Sequence, residues 1–274
     1  MTSVLLTGAT GFVGRQVLRT LALAGARVTA VVRGGSGAVE GAVRCIETPD
    51  AFAEPSAFWA RACDGVDAVA HVAWYAEPGK YLHSPLNLDC LAGTLALAQG
   101  ARQAKVQRFV GVGTCFEYDL TGGVLTIDTP LRPITPYAGA KAAAYFALSQ
   151  ALPPSGISFA WCRLFYLYGE GEDARRLAPY LHAKLAAGKV AELTSGRQVR
   201  DFLDVAIAGS RIASAVLGDV TGPVNVCSGV PVTVRQFAED IAAQYGRPDL
   251  LHFGTRPDNA VDPSSVIGQP TPLA

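Results

Sequence analysis

Val4-Leu5-Leu6-Thr7-Gly8-Ala9-Thr10-Gly11-Phe12-Val13-Gly14 decides the fold of this 274-residue chain. The first four residues form an apolar run of buried-strand length, and residues 15–24 carry apolar side chains at helical spacing. Strand, glycine turn and helix in that order are what a dinucleotide-binding βαβ unit requires. Gly8 permits the tight turn, Gly11 lets the backbone approach a pyrophosphate, and Gly14 lets the helix sit close to the strand. The free N–H groups around Thr10, Phe12 and Val13, where the helix starts, then meet the phosphates.

Outward from this unit the chain keeps returning to strand and then helix, which predicts a doubly wound parallel α/β sheet. Residues 26–32 are the second strand, with Arg33 at its end. An NAD site usually places an acid about 20 residues after the glycines to hold the ribose 2′-hydroxyl. Arg33 stands there instead and suits a 2′-phosphate through charge-assisted bonds, so NADPH is favoured while NADH stays open. After a short third strand, 43–46, Asp50 and Ala51 are placed along the adenine, and 56–63 is helical. A buried fourth strand, 66–73, ends in small residues, as a chain passing against a cofactor must, and Val72 and Ala73 are assigned to that contact. His71 within it is a packed core residue rather than a base. Trp74 and Tyr75 begin a loop at the carboxyl edge, where they line a substrate pocket or cover the core.

A long helix, 86–103, holds Asn87 and Gly93-Thr94, and Asn87 is counted among the cofactor contacts. The fifth strand, 109–114, carries Val112 and ends at Thr114; the sixth, 157–164, ends at Leu164. Val112 and Leu164 complete the expected cofactor neighbours. Between these strands lies a helix bearing Tyr137 and Lys141. Side chains four apart share one helix face. An ammonium beside a phenol favours the phenolate, bringing a group that titrates near ~10 into reach of neutral pH. Thr114 is placed to hold the same reacting oxygen.

Bulk composition fits a soluble, cytoplasmic enzyme. The 23 basic and 23 acidic side chains cancel, so no basic tract offers a nucleic acid its backbone partner. Mean hydropathy is +0.25, yet no apolar stretch is long enough to span a bilayer. The 6 cysteines show no CxxC spacing and are expected as buried free thiols. Residues 1–165 are expected as the dinucleotide-binding domain and 166–274 mainly as a small substrate-binding region, with 200–227 returning to the main sheet. Arg200 and Arg256 are diphosphate candidates there, with solvated surface arginines as the plain alternative.

Taken together, Thr7 to Gly14, Asp67 to Ala73, Asn87 with Gly93-Thr94, Thr114, Tyr137 to Lys141, Arg163 to Gly169 and Arg200-Asp201-Phe202 resemble the extended short-chain dehydrogenase/reductases of the nucleotide-sugar epimerase and dehydratase group. The resemblance implies a Rossmann-type domain, with Tyr137 as acid/base, Lys141 lowering its pKa and holding the nicotinamide ribose, and Thr114 binding the substrate oxygen. It also implies a nucleoside diphosphate sugar as substrate, with Arg200 and Arg256 on the diphosphate, and a homodimer paired through helices 86–103 and 136–152. Two departures bear on the reaction. Family dehydratases carry Asp-Glu directly after the Thr; this chain has Cys115 and Phe116, neither a carboxyl acid or base, with Glu117 one residue further on. Where epimerases commonly have an Asn, it has Tyr166. Cys115, Phe116 and Tyr166 join Trp74 and Tyr75 as substrate-side candidates, and the pattern leans to a 4-keto-sugar reductase, an epimerase that recycles its cofactor being the rival. A reductase of a small non-nucleotide carbonyl and a non-catalytic cofactor-binding protein are further alternatives.

Overall fold

The apolar run folds as strand β1 (Ser3–Thr7), and the residues past the glycine turn as helix α1 (Phe12–Leu23). The computed structural model describes residues 1–35, 37–259 and 263–273. Strands β2 (Arg27–Arg33) and β3 (Arg44–Thr48), helix α2 (Ser56–Ala62), β4 (Ala68–His71), α3 (Leu86–Gln103) and β5 (Arg108–Thr114) follow. A short β6 (Val124–Leu125) precedes α4 (Pro136–Ala151) and β7 (Ser158–Leu164). Pro136 occupies the first turn of α4, where its missing N–H costs nothing, and the Thr135 hydroxyl caps that turn by accepting from Ala138 N. The remainder comprises β8 (Tyr166–Tyr168), α5 (Leu177–Ala186), β9 (Ala191–Glu192), β10 (Val199–Asp204), α6 (Val205–Leu217), β11 (Gly222–Val226), β12 (Pro231–Thr233), α7 (Val234–Gln244), β13 (Leu251–His252) and β14 (Ser265–Gly268).

Seven strands pair in the order β11-β7-β5-β4-β1-β2-β3, all parallel. Parallel neighbours need crossovers, and helices supply them on both faces. Successive side chains of β1 serve opposite faces, as a period of two dictates. Val4 and Leu6 pack with α1 and α6 residues such as Leu18 and Ile212, while Leu5 packs with Trp59, Leu97 and Leu148 on the α2, α3 and α4 side. The sheet grows one way from β1 to β3 and the other way from β4 to β11. Ligands of open α/β sheets bind at such a reversal, outside the carboxyl ends of the strands.

A second sheet, β12-β10-β14-β6 with β8 paired to β10, is built from short and distant pieces. Segment 200–227 therefore divides. Helix α6 and β11 lie on the main sheet, whereas β10 leads the second sheet, its neighbours β8, β12 and β14 drawing it there. Strand β8 joins the same sheet, Tyr166 to Tyr168 registering against Phe202 to Asp204. Among the described residues no helix is long and apolar enough to cross a membrane.

Candidate active site

The glycine turn closes against β4. A side chain on Gly14 would put its Cβ 1.9 Å from the Gly8 carbonyl oxygen, so only glycine lets α1 start this near the strand. Gly8 itself has φ +77, and a Cβ there would lie 2.7 Å from Ala73 N. The turn and the backbone of Val72 and Ala73 thus abut, bringing three expected cofactor neighbours together. Thr10, Phe12 and Val13 sit at the start of α1, whose N-cap is Gly11 with no side-chain cap. Its first N–H groups point to where an anion is favoured. Arg15 closes this end by donating to the Gly11 and Thr10 carbonyls.

The carboxyl end of β4 is organised by His71. Thr94 Oγ1 gives its own proton to the Cys90 carbonyl at 2.7 Å and so accepts from His71 Nε2 at 2.8 Å. His71 Nδ1 is then an acceptor and takes the Thr7 hydroxyl proton at 2.8 Å, while Thr7 Oγ1 accepts the Ala73 N–H at 3.2 Å. Burial, with Lys141 second, pulls the His71 pKa down to about 3. The imidazole is a neutral structural pin, as the sequence reading held.

Tyr137 and Lys141 lie one turn apart on α4, and Thr114 ends β5 beside them. Burial, with Tyr81 second, holds the Tyr137 phenol above its ordinary value, Thr114 acting the other way. Lys141, expected to bring the phenol toward neutrality, has partners of its own. The ammonium donates to the Val112 carbonyl and lies under the Trp74 indole. Burial pulls Lys141 down to about 7, with Glu117 and Cys90 opposing. Tyr81 meets the Tyr137 ring edge-on, centroids 4.8 Å apart.

Glu117 stands immediately below. Its carboxylate accepts from Thr114 N at 2.8 Å, Trp161 Nε1 at 3.0 Å and Arg163 Nε at 2.8 Å, and it is fully buried. Arg163 reaches on to Tyr118 Oη at 3.0 Å, whose hydroxyl donates to Asn225 Oδ1 at 2.7 Å. Gly111 and Gly113 of β5 make room for Trp161, since a Cβ on either would fall 2.3 or 2.2 Å from the indole. The Glu117 carboxylate is thereby taken up by three donors from its own surroundings. Sequence reasoning missed this cradle, although Thr114-x-x-Glu117 is a capping-box spacing and was legible as such.

Other expected residues separate. Asn87 is buried, but its amide is spent: Nδ2 donates to the Tyr81 and Ser84 carbonyls at 2.7 and 2.9 Å, and Oδ1 accepts from Trp74 Nε1 at 2.9 Å. These bonds fix the 74–84 loop. Tyr75 turns to Glu77 at 3.0 Å. Asp50 and Ala51 lie on the loop that runs over Gly93, whose added Cβ would meet Phe52 Cα at 2.5 Å. Leu164 is paired with Thr114 across β7 and β5. Arg33 is exposed at the end of β2, and Glu47, one strand over, accepts from Gly35 N at 3.3 Å. The Cys115 thiol is buried and pushed above its ordinary pKa, hence neutral. Phe116 meets Tyr166 edge-on at 6.1 Å, and the buried Arg200 guanidinium lies 5.0 Å from the Tyr166 ring centroid. These three come together; Arg256 lies elsewhere, exposed over Tyr180 of α5.

A loop at 169–176 bridges the two lips. A Cβ on Gly171 would fall 2.3 Å from Arg15 Nη1, Arg175 pairs with Glu77 at 3.5 Å, and the Arg176 guanidinium lies 5.5 Å from the Tyr81 ring. A nucleotide turn, a Tyr and Lys on one helix and a Thr at the neighbouring strand end thus converge at one reversal of a parallel sheet. Residues 4–206 match the model of the NAD dependent epimerase/dehydratase family. The chain belongs to that family. It is an NAD(P)-dependent enzyme of the extended short-chain dehydrogenase/reductase type. Over 97% of the chain and 99% of the relative it is 23% identical to dTDP-6-deoxy-L-talose 4-dehydrogenase (NAD(+)) of Aggregatibacter actinomycetemcomitans. It is 29% identical to dTDP-6-deoxy-L-talose 4-dehydrogenase (NAD(P)(+)) of Kitasatospora kifunensis over 58% of the chain and 52% of that protein. The structure of UDP-N-acetylglucosamine 4-epimerase from Methanobrevibacter ruminantium superimposes with a TM-score of 0.87 at 19% identity, covering 98% of this chain and 90% of that one, a likeness of fold.

Proposed function

We propose that this enzyme reduces the 4-keto group of a nucleoside diphosphate 6-deoxy sugar, with NADPH as a consumed co-substrate. The observation that carries this is geometric: Tyr137 and Lys141 one turn apart on α4, Thr114 at the end of β5, and a Glu117 carboxylate already taken up by Thr114 N, Trp161 and Arg163. A protonated Tyr137 is a proton donor, which is the role a ketone reduction needs. Cys115 and Phe116 supply neither the acid nor the base that an elimination requires, and Glu117 is locked. The relative matched over its full length is named as a sugar 4-dehydrogenase, the same chemistry in the opposite direction.

The glycine turn, the Val72-Ala73 backbone and Lys141 fit a dinucleotide: the turn is a cradle that any Cβ at Gly14 would fill, and the buried ammonium lies beside Tyr137. When bound, the reduced nicotinamide supplies the hydride. Thr114 and Tyr137 hold the carbonyl oxygen, and Tyr137 Oη delivers the proton to it. Arg200, backed by Tyr166, meets the diphosphate. Arg33, exposed where a 2′-phosphate would sit, supports NADPH, while Glu47 beside it is the acid against which that preference must hold. Titration should show at least about tenfold tighter binding of NADPH than NADH, or ~1.4 kcal/mol, and equal affinities would remove the preference. Exposed Leu88 on α3 and Phe146 on α4 support a two-fold homodimer through these helices, to be checked by sedimentation.

The deciding experiment supplies a nucleoside diphosphate 4-keto-6-deoxy sugar and follows the absorbance of the reduced cofactor. One NADPH oxidised per product is expected, and Tyr137→Phe should cut turnover ~10² to 10⁴-fold with cofactor affinity nearly unchanged. Product without stoichiometric oxidation would replace this reading by a 4-epimerase that recycles its cofactor.

A further inference from the structure

The Lys141 ammonium lies 3.8 Å from the centroid of the Trp74 indole and is almost wholly buried. An ammonium carries three donors and loses its hydration when buried, so each lost water must be replaced. The Val112 carbonyl replaces one. The face of an indole, the best of the aromatic faces for this purpose, provides electrostatic stabilisation on another side without a hydrogen bond. Trp74 is itself held still: Nε1 donates to Asn87 Oδ1 at 2.9 Å, and Phe52 and Tyr137 meet its ring edge-on at 6.3 and 6.4 Å.

We infer that Trp74 is a positioning residue for Lys141, its indole face keeping the ammonium charged and in place so that the site works at and above neutral pH. Trp74 thus serves the cofactor side of the site through Lys141. This rests on the working role given to Lys141 above. The titratable groups facing the ammonium are Glu117 below β5, Cys90 on α3, His71 at the end of β4 and Tyr137 one turn earlier on α4. Glu117 and Cys90 favour its charge, and His71 stays neutral partly because of it. Burial, opposed by Glu117 and Cys90, brings Lys141 to about 7, so a modest stabiliser decides its state in the working range.

Trp74→Leu keeps water out and removes the aromatic face; Trp74→Phe keeps a weaker face. Turnover that needs the ammonium falls as pH rises through the Lys141 pKa. The alkaline limb of the pH–rate profile should move down by about one pH unit in Trp74→Leu, a tenfold loss above it, and by less in Trp74→Phe. Superimposed profiles, or equal displacement in both variants, would overturn the inference. A second measurement needs no substrate. Indole emission of the native protein should titrate with the midpoint of that limb, and the step should vanish in Lys141→Met and shrink in Trp74→Phe, where Trp161, its ring centroid 5.8 Å from the ammonium, remains to report it; emission indifferent to pH would also overturn it. An active Tyr137→Phe would sink the proposed reaction and leave this result standing.

Discussion

Two of the cations buried beside the candidate site are held in opposite ways. Arg163, below β5, is paired with a buried carboxylate at 2.8 Å and further bonded to Tyr118. Lys141, above, has a carbonyl and an indole face, and the histidine next to it is kept neutral. A charge pair with its hydrogen bonds filled is rigid and expensive to break. A cation held by a dipole and a ring keeps its donors available and its protonation adjustable. The lower arrangement suits a floor, and the upper one suits a group that must act.

The largest expected effect is on the floor. Glu117→Ala leaves the Arg163 charge buried without its partner and should cost about 3–5 kcal/mol of stability by urea unfolding. A loss below about 1 kcal/mol would mean that the two regions do not differ as described. Above, the prediction concerns pH. The folded His71 pKa lies below its unfolded value, about 3 against 6.5, so its contribution to stability is present above 6.5 and is lost as pH falls. The cost of His71→Gln should therefore shrink by about 1.4 kcal/mol per pH unit below 6.5. A cost independent of pH would show that His71 charges freely in the folded protein. The smallest effect sharpens the floor: Arg163→Lys keeps the charge but cannot serve Glu117 and Tyr118 together. It should lose roughly one hydrogen bond, about 1 kcal/mol, in the same unfolding assay.

What the sequence made legible was local. The order strand, glycine turn, helix is written in consecutive residues, and Gly14 meets Gly8 within one turn. Tyr137 and Lys141 announce themselves by helical spacing. The arrangements that escaped reading join distant positions. Arg163 reaches Glu117 from 46 residues away, and Trp74 covers a lysine on a helix two crossovers later. The second sheet is assembled from strands of two to six residues, too short for period-two alternation to identify. The partners of Asn87 escaped reading for the same reason. Its residue type suits a cofactor contact, but its partners are carbonyls in a loop whose path no local pattern reveals. Likewise the phenol's proton affinity depends on how deeply Tyr137 is packed, which spacing alone does not carry.

The loop at 169–176 touches Arg15 at the glycine turn and, through Arg175 and Arg176, the 75–84 loop beside Tyr137. Those tethers are exposed charges, whereas everything that holds the reacting groups is buried. Counter-ions screen the former within about 10 Å at 0.1 M salt and reach the latter little. Ionic strength should therefore govern traffic through the mouth rather than events inside it: added salt quickens turnover wherever product release is limiting, while hydride transfer timed in a single turnover keeps its rate.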